Sequence, residues 1–431
     1  QRDVSRVGQI DIGAYEYVSA LTQTGELTVN ETTGQSQQTS GQSRGSTQSV
    51  SITPSGNYVV VWTSNQSTGD DTNGQGVLMR TFRPDGTPLT GEIQVNQTTN
   101  NDQQWATVST DDAGNGVVVW TSTAQDNGSS TGVYARRFDS TGALVGNEFL
   151  VNTITAEAQE NAVVDMSGSG AFVVTWSGNG TGDTGGIFYR RFDASGTPLD
   201  ATERLANGTN RGVELAPSMA MNDAGQFAIA WQVGGDVFMR NFAANGNAST
   251  ADIQIDSSLI NAYGAVVGID ATGRTIVVYR SDDFLILPGG VWGRSFNADG
   301  TERQSNTSVA TRIGSNFTSP SIATDDAGNF IVTYQGSGDG SGNAVFVKRY
   351  DADFNALGIT QQINTTAAGN QQMSSVAMLD SNNYVVVWSG QGPGDTDGVF
   401  ARQFSVDDVA PVITSNGGGA TASINVTENS T

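Results

Sequence analysis

The chain has 431 residues, with 43 acidic and 20 basic side chains, a formal net charge of −23, and neither cysteine nor histidine. The missing cysteine excludes a disulfide framework and a thiolate nucleophile, and the missing histidine excludes a Ser-His-Asp triad and any imidazole metal ligand. The acidic balance argues against a nucleic-acid partner, because contacts to phosphate require many Lys and Arg side chains. No run of about 18 apolar residues is present, so we expect no membrane span.

One apolar run that ends in an aromatic residue occurs seven times along the chain. The intervals between successive copies are 48 to 58 residues, which is too long for one turn of a solenoid and suits a four-stranded propeller blade with loops. The seven copies are Tyr58–Trp62, Gly116–Trp120, Phe172–Trp176, Phe227–Trp231, Thr275–Tyr279, Phe330–Tyr334 and Tyr384–Trp388.

Each repeat predicts four short strands, which we name a to d. A weakly apolar strand a, such as Ser49–Ile52, leads through a tight turn, such as Asp112–Asn115, to the aromatic-ended run, which is strand b. A longer Gly/Asp loop then leads to strand c, such as Val133–Phe138, and a second tight turn leads to strand d, such as Glu92–Asn96. Alternating apolar residues between turn residues are the pattern on which these strands rest.

The two ends of the repeat array predict how the strands close. The seventh repeat ends with strand c at Phe404, whereas an extra d-like segment, Glu26–Asn30, precedes the first repeat. A ring in which the N-terminal segment completes the last blade explains both features and leaves no open sheet edge. We therefore predict an all-β, seven-bladed β-propeller of four-stranded antiparallel blades over residues 24–405. The alternative is an open β-solenoid or a string of β-sandwiches.

Short flanking motifs resemble parts of other domains. Ile10–Glu16 resembles the closing turn of bacterial parallel β-helix domains, and Asp408–Thr414 with Val426–Asn429 resembles the first strands of cadherin-like or immunoglobulin-like repeats. The propeller repeats are similar to those of giant modular bacterial cell-surface proteins. This resemblance implies a β-helix tail at residues 1–23, the propeller at 24–405, and a linker with the start of a cadherin/Ig-like domain at 406–431. It also implies an extracellular location.

The long b–c and d–a loops should share one face of the ring, where function usually concentrates on a rigid scaffold. The b–c loops carry carboxylates among glycines, and flexible loops with several oxygen ligands are what Ca²⁺ requires. None of them matches the EF-hand pattern or the calcium β-roll nonapeptide. The alternative is that these are plain connecting turns. The candidate Ca²⁺ ligands are Asp70, Asp71, Asn73, Asp126, Asp183, Asp339, Asp395 and Asp397.

Strand c carries a cation two residues before an aromatic side chain in every repeat, so charge and ring share one face of the strand. We expect this ring to be structural, with each stem packed on its aromatic neighbour and each charged head paired with a turn carboxylate. The alternative is a ring of cations that binds an anionic glycan. The seven residues are Arg80, Arg136, Arg190, Arg240, Arg294, Lys348 and Arg402.

Three classes of function fit this sequence. The first, which we predict, is a non-catalytic structural or adhesive module of a large extracellular protein, and not an enzyme. Its partners would be neighbouring domains of the same chain and a cell-surface glycan or protein. The second is a glycan-binding, lectin-like propeller. The third is a polysaccharide-active enzyme that works with paired carboxylates alone, which the absence of histidine does not exclude.

Overall fold

The computed structural model describes residues 21–33, 35–40, 48–65, 73–126, 130–256, 261–282, 289–311, 317–338 and 340–406. All regular structure within these ranges is β-strand. No helix in the described part of the chain is long and apolar enough to cross a membrane. The predicted flanking domains lie almost wholly outside the described residues.

The strands form seven antiparallel sheets, and each sheet is one blade with the order a-b-c-d. In blade one, β3 (Gln37–Gln38) and β4 (Val50–Ile52) both pair with strand b, β5 (Tyr58–Ser64), and are followed by β6 (Gly76–Phe82) and β7 (Ile93–Gln94). Blade two contains β8 (Gln103–Thr110), β9 (Gly116–Thr123), β10 (Thr131–Phe138) and β11 (Leu144–Leu150). Blade three contains β12 (Gln159–Met166), β13 (Phe172–Gly180), β14 (Asp183–Phe192) and β15 (Arg204–Leu205).

Blades four to six continue the same order. They are β16 (Glu214–Met221), β17 (Phe227–Val233), β18 (Asp236–Phe242), β19 (Ile253–Gln254); β20 (Ala262–Ile269), β21 (Thr275–Ser281), β22 (Gly290–Phe296), β23 (Glu302–Thr311); and β24 (Thr318–Thr324), β25 (Phe330–Ser337), β26 (Asn343–Tyr350), β27 (Gln361–Gln362).

Blade seven closes the ring as the sequence predicts. It contains β28 (Gln371–Met378), β29 (Tyr384–Gly392) and β30 (Asp395–Val406), and the N-terminal strands β1 (Leu21–Gln23) and β2 (Leu27–Thr28) both pair with β30. Strand β1 extends the pairing to residues before the predicted start at residue 24, with Leu21 opposite Val406. The a strands contact one another in a complete circle, from β4 through β28 and back to β4. The seven-bladed propeller and its closure are therefore confirmed.

The hydrophobic core lies between neighbouring blades. The tryptophans that end strand b, for example Trp62 and Trp176, are fully buried. Trp176 of blade three packs in one cluster with Val117 and Val119 of blade two. Each blade therefore buries its apolar face against its neighbours, so stability depends on the contacts that join blades.

A cation on strand c joins each blade to the one before it. The side chain donates a hydrogen bond to the main-chain carbonyl that precedes the Asn or equivalent residue at the end of the previous strand d. Six of these contacts span 2.7–3.2 Å, and Arg294 makes the seventh to the Ile255 carbonyl. The acceptors, in the order of the seven cations given above, are the carbonyls of Val29, Val95, Val151, Ala206, Ile255, Val309 and Ile363.

The predicted packing of these cations on the following aromatic occurs in six blades, at 5.2–5.9 Å from the ring centroid. The expected pairing with a turn carboxylate is not the common feature. Carboxylates accompany some heads, as for Arg80 with Glu31 at 2.6 Å, but all seven cations bind a main-chain carbonyl. A carbonyl occurs in every repeat whatever the side chain, which explains why it is the shared acceptor.

A second contact across the seams uses an acidic residue four positions before the Asn of strand d. Glu148, for example, accepts hydrogen bonds from the main-chain N–H groups of Gln97 and Thr98 in the blade before it. The Asn itself caps its own blade: Asn152 Oδ1 accepts the N–H of Val133 on strand c at 2.8 Å. We call the acid the seam latch. It is present as Glu26, Glu92, Glu148, Glu203 and Asp252.

We predict that Arg190→Ala lowers the free energy of unfolding by about 1–3 kcal/mol, because three buried or part-buried carbonyls lose a charged donor. Arg190 donates to Val151, Asp200 and Ala201. Arg190→Lys is the matched control. A lysine can keep the hydrogen bond to the Val151 carbonyl, just as Lys348 in blade six donates to the Val309 carbonyl, so this variant should lose less stability. Denaturant melts measure both. An Arg190→Ala variant with wild-type stability would contradict a stabilising role for this contact between blades.

Candidate functional site

A cleft opens between blades three and four, on the face of the ring that carries the long loops. Its volume is about 470 Å³, within the range of small-molecule sites. Its walls are the hairpin between β13 and β14, the start of β12, and the segment that enters β16. The acidic, amide and large apolar side chains that line the cleft are Glu157, Glu160, Asn179, Val213, Glu214 and Leu215.

The first residue of strand a has a defined structural role in the repeat. The position lies seventeen residues before the aromatic that ends strand b in blades two to seven, and it is glutamine in blades two, three and seven. In blade six it is Phe317, immediately before β24. In blade three Gln159 Oε1 accepts the indole N–H of Trp176 at 3.0 Å, and in blade one Gln37 does the same for Trp62 at 2.9 Å. In these two blades the amide satisfies a buried indole, whereas in blades two and seven the indoles of Trp120 and Trp388 have no partner among the described residues, although glutamine is present there.

Blade four places a carboxyl group at this position. Glu214 is 1% exposed, and its Oε1 accepts the main-chain N–H of Arg211 at 3.0 Å. Among the described residues its Oε2 has no hydrogen-bond partner, and neither does the indole nitrogen of Trp231, the equivalent of Trp176. A buried polar atom without a partner is costly, and Glu214 is the one acid at this repeat position, so its Oε2 beside a cleft makes it a candidate functional group.

Burial raises the pKa of Glu214 above the ordinary value of a glutamate. The hydrogen bond from the Arg211 N–H lowers this pKa, the negative charge of Asp183 raises it, and the positive charge of Arg211 lowers it. A carboxyl with a raised pKa keeps its proton at higher pH and can donate it, which is the property of a general acid. The cleft therefore holds one acid of this kind together with the carboxylates of Glu157 and Glu160.

The cleft combines acidic and apolar surface. Val213 and Leu215 flank Glu214 and are 62% and 41% exposed, which is unusual for large apolar side chains. No lysine or arginine is among its described lining residues. Such a surface suits a neutral ligand that offers both C–H groups and hydroxyls, and it repels anions.

Asp183, a predicted Ca²⁺ ligand, lies buried beside this cleft with its oxygens already occupied. Asn207 Nδ2 donates to Oδ2 at 2.9 Å, and Asn210 Nδ2 and the Gly185 N–H donate to Oδ1. Asp395 of blade seven repeats this arrangement, since Asn30 Nδ2 donates to it at 2.7 Å. Both carboxylates therefore orient the Asn that caps strand c.

The other predicted Ca²⁺ ligands are not brought together. Asn73 bridges to Asn100 in blade one, Asp126 lies in the b–c loop of blade two, and Asp397 is exposed in blade seven. Asp70, Asp71 and Asp339 lie outside the described residues. The described part of the chain contains no group of three acidic, His or Cys side chains that could hold a metal ion. Calcium binding stays a prediction.

Sequence reasoning missed Glu214, although a signal was present. The residue seventeen positions before the strand b aromatic reads Gln103, Gln159, Glu214, Ala262, Phe317 and Gln371 in blades two to seven. Glu214 is the only carboxylate in that series. Comparing the repeats with one another, position by position, identifies it.

No protein-family model and no curated relative matches this sequence. Solved structures share the fold. An ulvan lyase of polysaccharide lyase family PL25, bound to -[GlcA(1-4)Rha3S]-, is 10% identical with a TM-score of 0.57, covering 88% of this chain and 95% of its own. Polysaccharide lyase Uly1 is 9% identical with a TM-score of 0.53, covering 84% and 90%. A protein of unknown function from Dyadobacter fermentans DSM 18053 is 10% identical with a TM-score of 0.53, covering 90% and 99%.

These comparisons correct the prediction of a non-catalytic structural or adhesive module that is not an enzyme. That prediction is wrong, because two of the structures that share this ring over most of the chain are polysaccharide lyases. It rested on the absence of a catalytic constellation and of a carboxylate pair that stands out from the repeat. At identities near 10% the similarity shows the fold, and the same fold can serve many activities, so any activity must be argued from the site.

We predict that Glu214→Gln stabilises the fold at neutral pH by about 1 kcal/mol, because the amide can accept the Trp231 N–H as Gln37 and Gln159 accept theirs and cannot ionise in the buried site. The folded-state pKa of Glu214 lies above its unfolded value, so ionisation costs wild-type stability as pH rises through that interval. The gain should be small near pH 4 and grow toward neutrality, where thermal melts measure it.

The converse change in blade three is the control. Gln159→Glu places a carboxylate beside Trp176 and should destabilise the fold at neutral pH and less so in acid. If Glu214→Gln melts below wild type at pH 7, the charged side chain has a stabilising partner and the predicted gain in stability is wrong.

Proposed function

We propose that this chain is a polysaccharide-active enzyme that cleaves glycosidic bonds in the cleft between blades three and four, with Glu214 as general acid. The observation that carries the proposal is the raised pKa of a buried glutamate at a cleft, at a repeat position where four of the six other blades, one, two, three and seven, have glutamine. The shared fold of the polysaccharide lyases supports it as a scaffold on which such substrates are processed.

The chemistry needs two carboxyl groups on either side of the scissile bond. Glu214, whose pKa is raised, would in its protonated form donate a proton to the oxygen of the leaving sugar. Glu160 and Glu157, which line the same cleft and are more exposed, would supply the carboxylate that activates water or attacks the anomeric carbon. The exposed faces of Val213 and Leu215 would contact the C–H surface of a sugar ring.

Hydrolysis of a neutral sugar linkage fits this cleft better than elimination from a uronic acid. Elimination removes a proton next to a carboxylate, and the negative charge that develops there needs a cation or several hydrogen-bond donors nearby. The described lining contains three glutamates and no basic side chain. This is the opposite of what such a step requires, so the proposed substrate is neutral at the point of cleavage.

The location and the metal remain parts of the same proposal. The acidic, cysteine-free composition favours an extracellular or cell-surface setting, where a polysaccharide substrate would be met. Calcium in the loops of that face would then be structural, since the proposed chemistry uses carboxyl groups alone.

A panel of neutral and acidic polysaccharides tests the proposal by two readouts. New reducing ends report hydrolysis, and ultraviolet absorbance of unsaturated uronic acids reports elimination. We expect new reducing ends from a neutral polymer without unsaturated product, and a fall of about 10²- to 10⁴-fold in kcat for Glu214→Gln.

Asp299→Asn is the matched control for that fall. It makes the same carboxyl-to-amide change in the exposed turn before β23, on the opposite face of the ring, and should keep wild-type activity. The proposal fails if no polymer gains reducing ends, if unsaturated product accounts for the cleavage, or if Glu214→Gln retains wild-type kcat.

A further inference from the structure

The seam between blades five and six departs from the repeat at several positions at once. The capping Asn of strand d is replaced by Ala310, the seam latch by Thr360, and the arginine of strand c by Lys348, the only lysine of the chain. The alignment of these positions rests on one contact: Lys348 Nζ donates to the Val309 carbonyl, as each arginine does to its own acceptor. At all three positions the side chain here is therefore shorter than the one found in most other seams.

A cavity of about 520 Å³ occupies the space at this seam, on the same face as the cleft of blades three and four. Three aromatic rings line it: Phe317, which stands where other blades have glutamine, together with Tyr334 and Phe346. Phe317 meets Tyr334 edge-on at 5.5 Å between centroids, and Tyr334 stacks on Phe346 at 5.7 Å. Phe317 and Phe346 are only half-buried, so part of each ring surface faces the cavity.

Lys348 places a positive charge in this aromatic cavity. Its Nζ donates to the Val309 carbonyl at 3.2 Å and lies 5.2 Å from the centroid of Tyr350. Among the described residues no carboxylate pairs with it, whereas Arg80 and Arg294 each have one within 2.8 Å. Desolvation lowers the pKa of this lysine, which agrees with a charge that has lost water and gained no counter-ion. The ammonium group keeps donors available for an anion.

We propose that this seam is a binding site for a pyranose sugar that carries an anionic group, a carboxylate or a sulfate, with the ring on Phe317 and Phe346 and the anion on Lys348. An aromatic wall with one placed charge is the usual make-up of a small-ligand site. The cavity has room for a sugar ring because the latch and cap are missing from this seam.

The choice of a sugar as the carrier of the anion rests on the proposed function. The polymer would then be neutral where blades three and four cleave it and would carry an acidic sugar at the seam of blades five and six. The two sites use different blades, so binding at one can be measured while the other is inactive.

Isothermal titration of the wild-type chain with methyl glucuronide, methyl glucoside and methyl glucoside 6-sulfate tests this site. We expect the glucuronide or the sulfate to bind at least about tenfold more tightly than the neutral glucoside, and the comparison between the two shows which anion is preferred. The same titration on Glu214→Gln should give unchanged affinity, so a failure of the proposed catalysis does not affect this result.

Two variants locate the site. Lys348→Met removes the charge at nearly constant length and should abolish the preference for the anionic sugar. Thr360→Glu introduces the latch carboxylate that five other seams have, which would pair with Lys348 and fill the cavity. It should abolish binding while holding or raising the melting temperature, whereas Thr360→Gln adds the same volume without the charge and should weaken binding less.

Thermal melts of each variant separate lost binding from lost folding. The proposal is overturned if the wild type binds the glucoside as tightly as both anionic sugars, or if Thr360→Glu folds and binds them with wild-type affinity. Anion binding that survives in a folded Lys348→Met variant would overturn it equally.

Discussion

The hydrogen bond from a strand c cation to the main chain of the preceding blade is the interaction on which this ring depends. It occurs at all seven seams, including the one where the N-terminal strand supplies the acceptor, the carbonyl of Val29. A propeller blade has no core of its own, because its apolar faces are buried only against neighbours. A charged donor on a carbonyl fixes the distance and register between two sheets at once. The apolar residues, Trp176 among them, then pack in the space that this bond defines.

Because the seams share one design, a functional residue is recognised as a departure from it. Six blades show a hydrophobic or amide side chain, or a contact that serves the fold, at the first residue of strand a. Glu214 is the one acid at this position, and although its Oε1 accepts the Arg211 N–H, its Oε2 has no partner in the described structure. At the seam of blades five and six the change is a loss of side-chain volume, because Ala310 and Thr360 are smaller than the residues at these positions in most other seams. One departure adds an acid and the other opens space beside a cation.

The two sites differ in the sign of their local charge, although the whole chain has a net charge of −23. The cleft of blades three and four is lined by glutamates, which favours a neutral ligand, and burial together with Asp183 raises the pKa of Glu214. The seam of blades five and six has a lysine that no described carboxylate neutralises. Local charge, set by which side chains meet at a seam, therefore decides what each site can bind, and the average composition does not.

The sequence by itself determined the number of blades, the strand order and the closure of the ring, because each depends on local patterns that repeat: apolar alternation, tight turns, and the orphan segment Glu26–Asn30. It also showed the seven cations, although their acceptors are main-chain carbonyls that no pattern of side chains reveals. The candidate sites were decided by the tertiary structure alone. Burial of Glu214, its nearness to Asp183, and the cavity beside Lys348 arise between blades, from residues tens of positions apart. Desolvation depends on what surrounds a group in space, so neighbours along the chain cannot report it.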